Sequence, residues 1–133
     1  MIYRLPSITI PADVKSIESD TFSGCSNLKT VEFASGSKLG SIGANAFYGS
    51  GLTNITIPAG VTSIGNSAFY KNGLTSITIP ANVTSIGWDA FYECSNLGTV
   101  TFAEGSKLES IGENAFDNCG SLTSIVSGKS RVY

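Results

Sequence analysis

Residues 74–96 read LTSITIPANVTSIGWDAFYECSN, and residues 52–70 ahead of them read LTNITIPAGVTSIGNSAFY. Agreement this close at a spacing of 20 to 30 residues marks a solenoid, and it decides the fold before any local propensity is weighed. Working outward, coils open at Leu5, Leu28, Leu52, Leu74, Leu97 and Leu122. Five full turns and the start of a sixth therefore fill nearly all of the 133 residues, as one elongated domain over 1–133 assembled from small modules.

Each turn follows the pattern L-x-x-I-x-I-P-x-x-V-x-S-I-G-x-[DNS]-A-F-x-x-C-x-x. Its first part alternates at period 2 through Ile8 and Ile10, Val31 and Phe33, Ile55 and Ile57, Ile77 and Ile79, and Val100 and Phe102, which predicts a strand with one face inward. One such strand cannot cover its apolar face alone. Neighbouring coils must stack at the ~4.8 Å spacing of paired strands, giving a parallel sheet along the stack. Pro11, Pro58 and Pro80 fit the strand exits, where a missing N–H is tolerated.

A second apolar pair follows in each coil, ending at Ile17, Ile42, Ile64, Ile86 and Ile111, and just before that residue Ser16, Ser41, Ser63, Ser85 and Ser110 recur. These serines are expected to form a column of hydroxyls satisfying backbone groups at a bend. Gly43, Gly65, Gly87 and Gly112 come next, read as sites of positive φ, with Glu18 breaking the rule in the first coil. Asp20, Asn45, Ser67, Asp89 and Asn114 are read as N-caps of short helical or 3-10 turns. Those turns carry Phe22, Phe47, Phe69, Phe91 and Phe116, whose rings are expected to project inward and build the second half of the core. Two extra residues in FASGSKL (33–39) and FAEGSKL (102–108) predict loops on the outer rim rather than in the sheet.

This pattern resembles the leucine-rich repeats of the BspA-like, or Treponema-type, family, over residues 5 to about 126 and in register five times. The resemblance implies a right-handed leucine-rich repeat coil, a β-rich solenoid with one parallel sheet, short second strands and short helical or 3-10 turns. The asparagine that ladders many other leucine-rich repeats is matched only at Asn82, its place being held elsewhere by Asp13, Gly36, Gly60 and Gly105. The family further implies a bacterial cell-surface or secreted protein engaged in adhesion or host interaction, with a protein or glycan partner and no catalysis.

Composition is compatible with that expectation. Net charge is -2 with the charges scattered, so there is no basic stripe for nucleic acid. No apolar run approaches a membrane span, and MIYRLPSITI lacks the build of a signal peptide, placing any export signal outside this chain. Neither end reads as a full polar cap, which points to a fragment of a longer protein or to ends covered by another copy. Histidine is absent and no C-x-x-C occurs, which removes the usual general base, the Cys-His pair and a metal site; no cofactor is expected. Gly128, Lys129 and Ser130 copy only the end of a P-loop, because Thr123 stands where its first glycine belongs. Cys25, Cys94 and Cys119 share one repeat position with Ser50 and Asn72; they read as small semi-buried side chains, or as a Cys94–Cys119 bridge with Cys25 left over.

Two outward rows carry the candidate ligand contacts. Tyr48, Tyr70 and Tyr92 follow the core phenylalanine in three consecutive coils, with Trp88 four residues before Tyr92, and stacking would gather them into an aromatic strip. Thr30, Glu32, Asn54, Thr56, Ser76, Thr78, Thr99 and Thr101 face outward from the sheet. Tyrosines leaning on neighbouring coils to shield the phenylalanine column account for the first row, and ordinary solvated strand positions for the second. Alternatively they form a protein- or glycan-binding face, or a Thr-x-Thr lattice of the ice-binding kind that Glu32 and Asn54 interrupt. A structural spacer without a ligand is the competing class.

Overall fold

The computed structural model describes residues 4–127, so the P-loop-like Gly128–Ser130 lies outside the described residues. Eleven short strands follow in order: β1 Ser7–Ile10, β2 Ser16–Ile17, β3 Thr30–Phe33, β4 Ser41–Ile42, β5 Asn54–Ile55, β6 Ser63–Ile64, β7 Ser76–Ile79, β8 Ser85–Ile86, β9 Thr99–Phe102, β10 Ser110–Ile111 and β11 Ser124–Ser127. All pairings are parallel and join equivalent positions of neighbouring coils, such as Ser7 with Thr30 and Ser41 with Ser63. The chain is thus a β-solenoid of about five turns, as the repeat requires.

The opening strands do not run as one sheet. They form β1-β3-β5 and β7-β9-β11, because β5 stops after Asn54 and Ile55 and no ladder joins it to β7. The lapse falls where the coil shortens, from 24 residues between Leu28 and Leu52 to 22 between Leu52 and Leu74. The even-numbered strands make a second sheet, unbroken, in the order β10-β8-β6-β4-β2.

Three local expectations are corrected. Gly43, Gly65, Gly87 and Gly112 are not at positive φ; left-handed backbone occurs two residues later, at Asp20, Asn45, Ser67, Asp89 and Asn114, with φ between 57 and 64°. Those residues are therefore not N-caps, which sit in the β region. Asn and Asp enter the left-handed region more readily than other non-glycine residues, which accounts for the preference. A second left-handed residue follows four positions on, at Gly24, Gly49, Lys71, Glu93 and Asn118.

The segment between these two residues is not a helix, and no α-helix occurs among the described residues. Its amides alternate. Those of Asp20, Phe22 and Gly24 donate across to the carbonyls of Ala44, Ala46 and Tyr48 in the next coil at 2.7–3.0 Å, while those of Thr21, Ser23 and Cys25 donate back three residues. Half the donors a helix would use are committed to the neighbouring coil, so a helix cannot form.

Nor do the serines serve the backbone with their hydroxyls. They are half-buried or exposed members of the second sheet, and the one side-chain bond among them is Ser16 Oγ donating to Glu18 at 2.6 Å.

The phenylalanine spine is as the repeat predicts. Phe22, Phe47, Phe69, Phe91 and Phe116 stack with centroids 5.1–5.3 Å apart and planes within 12°. The middle three rings are fully buried, as are Ala46, Ala68 and Ala90 before them, so the small side chains make room for the rings. The extra residues of coils two and five turn at Gly36 (φ 78°) and Gly105 (φ 79°), outside the strands.

Candidate functional site

The outward positions of the sheet face form two rows, because alternate residues of a strand share a face and the register keeps equivalents side by side. Thr30 pairs with Asn54, Ser76 with Thr99, Thr78 with Thr101. An open groove of about 600 Å³ lies over this face between the coil-two loop (Ala34, Gly36, Ser37) and Pro58–Gly60, lined also by Thr30, Glu32, Asn54 and Thr56. A second, of about 810 Å³, continues it past Ser76, Thr78, Pro80 and Ala81 to Ala103 in the coil-five insertion. Asn54, Thr56, Pro58 and Ala59 line both, so the two make one trough. Thr99 and Thr101 extend the rows beyond it. Among the described residues Glu32 is the only charged side chain lining either groove; the rest is hydroxyl, amide and apolar surface. The insertion loops thus border the sheet-face trough, a relation the repeat pattern does not reveal.

On the turn side, Tyr48 and Tyr70 stack at 4.6 Å and 5°, and Tyr70 and Tyr92 at 5.2 Å and 18°. Asn118 Nδ2 donates to the Tyr92 hydroxyl at 3.1 Å. Desolvation within the stack, and then the Glu93 carboxylate, push the Tyr70 phenol up, so it stays neutral. Both faces of Tyr70 are covered by its neighbours, which leaves its edge and hydroxyl for contact and no flat face for a sugar. Trp88 is 53% exposed, its backbone N–H bonded to Asn66 Oδ1 at 2.9 Å. Among the described residues no stacked ring pair joins it to the tyrosines, so the strip contains three rings rather than four.

A third column is internal. Asn72 Nδ2 donates to the Phe47 carbonyl at 2.7 Å, and the thiols of Cys94 and Cys119 donate to the carbonyls of Phe69 and Phe91 at 3.0 and 3.2 Å. Ser50 Oγ donates to Asn72 Oδ1 at 2.8 Å. The Cys/Ser/Asn position is therefore a buried ladder that holds coils three, four and five each to the preceding coil, with Ser50 of coil two joining it through Asn72. It was legible only as a repeat position, since nothing in the letters says which carbonyl a small polar group will meet. Asn82 reaches back in a similar way, to the carbonyl of Ala59 at 3.1 Å.

All three cysteines are free and buried, and among the described residues no cluster is suited to a metal. Burial pushes the Cys94 thiol from 9.0 up to about 12, only partly opposed by a backbone hydrogen bond. The folded chain then keeps a proton that the unfolded chain sheds above pH 9.0, so stability is lost as pH rises from there towards about 12. Urea midpoints measured from pH 8 upward are expected to fall less steeply in Cys94→Ser, and the native thiol is expected to resist disulfide reagents until the protein unfolds.

Six copies of a BspA type leucine rich repeat region match residues 2–123. Among solved structures, the pneumococcal vaccine antigen PcpA is 34% identical with a TM-score of 0.77, the match covering 91% of this chain and 30% of that one. A leucine-rich repeat protein of T. pallidum is 26% identical with a TM-score of 0.78, covering 90% and 57%. A leucine rich cell surface protein of Faecalibacterium prausnitzii is 32% identical with a TM-score of 0.59, covering 93% and 39%. The chain thus spans less than two thirds of the length of each of these structures. No curated protein matches it. No helix among the described residues is long and apolar enough to cross a membrane.

Proposed function

This chain belongs to the BspA-type leucine-rich repeat family, and on that premise we propose that it is a non-catalytic recognition module of a cell-surface or secreted protein, binding a protein or glycan partner in the sheet-face trough. The observation that carries this reading is the trough itself, running from Thr30 and Glu32 past Asn54 and Thr56 to Ser76 and Thr78. Hydroxyls and amides on rigid strands are adaptable hydrogen-bonding groups, and ordered strands hold them at little further entropic cost. A similar structure described as a cell surface protein supports the location. The tyrosine stack supports shielding of the phenylalanine spine better than it supports contact, because its inner ring faces are already used. Ice binding loses ground for a related reason: Glu32, Asn54 and the lapse at β5 interrupt any flat threonine lattice.

The test begins with a displayed random-peptide library and a glycan array, both probed with the 133-residue chain. Ligands so found are then measured by calorimetry against variants. Thr56→Arg fills the trough from an exposed position and is expected to weaken binding at least about tenfold, roughly 1.4 kcal/mol, with an unchanged melting temperature. A loss confined to Trp88→Ala or Tyr70→Ala would move the site to the rim. Failure of every probe would favour the spacer.

A further inference from the structure

Every coil after the first carries a glycine directly after the second strand, and the first carries Glu18. The amides of Gly43, Gly65, Gly87 and Gly112 donate to the carbonyls of Ile17, Ile42, Ile64 and Ile86 in the preceding coil at 2.7–2.8 Å, which seats each glycine Cα against that coil's backbone. A Cβ on Gly43 would stand 2.8 Å from Ser19 N and 2.9 Å from Ile17 O, and one on Gly65 would stand 2.7 Å from Ala44 N. At Gly87 and Gly112 it would press on the backbone of Asn66 and Trp88. Backbone at such distances has no rotamer with which to yield.

None of these glycines is at positive φ, so the requirement comes from the neighbouring coil alone. Glu18 fits because, among the described residues, no coil packs beneath it. It is exposed, and its carboxylate accepts from Ser16 Oγ at 2.6 Å. At this end Ile10, Ile17 and Phe22 are buried although Leu5 is 43% exposed, whereas Ile111 and Ile125 at the other end are 47% and 58% exposed.

We infer that Glu18 closes the N-terminal end face of the stack to its own repeat: a coil in the register of the others, from this polypeptide or a second copy, would meet at the Glu18 Cβ the overpacking met at the glycines. An internal coil held on both sides survives that cost, and a terminal coil held on one side does not. The bar is the Cβ atom rather than the charge. It applies to an in-register coil and to nothing else that precedes residue 5 in a polypeptide. Growth of the stack, and head-to-tail association of copies, are blocked at this face. A strand edge open to pairing is a standing risk of polymerisation, and a residue that denies the register manages that risk.

The experiment places the sequence of residues 74–96 directly before Leu5 of the full chain, in three versions: with Glu18 retained, with Glu18→Ala and with Glu18→Gly. If the added coil stacks, its amides equivalent to Asp89 and Phe91 donate to the carbonyls of Ser19 and Thr21, as Asp20 and Phe22 donate to Ala44 and Ala46. Hydrogen exchange at those amides is expected to slow at least about tenfold in the Glu18→Gly version and to stay unprotected in the other two. Protection in the Glu18 version equal to that in Glu18→Gly would overturn the inference. So would protection in Glu18→Ala, or in none of the three, since either outcome means that the Cβ of residue 18 is not the bar.

Discussion

Phe69→Ala is expected to lower the unfolding free energy by about 3–5 kcal/mol, the upper range for truncating a fully buried aromatic. Its ring is 0% exposed and lies between Phe47 at 5.3 Å and Phe91 at 5.2 Å, so both neighbours lose a face together. The site cannot readily collapse, because the unbroken second sheet holds β6 of this coil between β4 and β8, and β5 is paired to β3. In a repeat protein each unit is stabilised by those beside it, so a weak central coil also uncouples the halves. Each half then approaches the size at which a small domain is marginal. The urea transition is therefore expected to broaden as its midpoint falls, when followed by circular dichroism and by the fluorescence of Trp88, the only tryptophan. Phe116→Ala, at a ring that is only partly buried, is the comparison. A cost at Phe69 no greater than at Phe116 would mean that the spine is not the shared core described here.

The second large effect belongs to Gly65→Ala, expected to cost about 1–3 kcal/mol through overpacking. The added methyl would stand 2.7 Å from Ala44 N and 2.8 Å from Gly43 C, while the Gly65 amide holds the Ile42 carbonyl at 2.8 Å. Gly36 offers a contrast of mechanism. It has φ 78° with open space around its Cα, so alanine there meets only the left-handed penalty, about 1–2 kcal/mol. Asparagine, which tolerates that backbone, is expected to recover much of the loss at Gly36 and none at Gly65. Thermal melts of the four variants decide the matter, and equal rescue at both sites would contradict the assignment of Gly65 to close coil contact.

That contrast also marks how far the sequence could be read. The repeat, its strands, the phenylalanine spine and the neighbouring tyrosines were legible because an apolar or aromatic letter at a fixed period has essentially one inward or stacked solution. Glycine does not. Gly65 and Gly36 are the same letter for different reasons, one steric between coils and one conformational within a coil, and only coordinates separate them. Asp20 and its equivalents were misread for a similar reason: Asp and Asn suit both an N-cap and left-handed backbone, and the deciding bonds reach the next coil. The trough was half legible. Its polar floor follows from strand alternation, but its walls depend on how two insertions, three coils apart, lie beside the coils between them.

The alternating amides of the aromatic turn have an electrical consequence. Asp20, Phe22 and Gly24 all point their N–H groups towards the following coil, and their equivalents do the same along the stack, whereas Gly40 and Gly43 point theirs back to Lys15 and Ile17. Peptide dipoles are thus aligned one way along the aromatic flank and the opposite way along the glycine flank. Each of the two ends therefore presents a positive margin beside a negative one. Anything that stacks end-on must match that two-signed outline as well as the apolar shape.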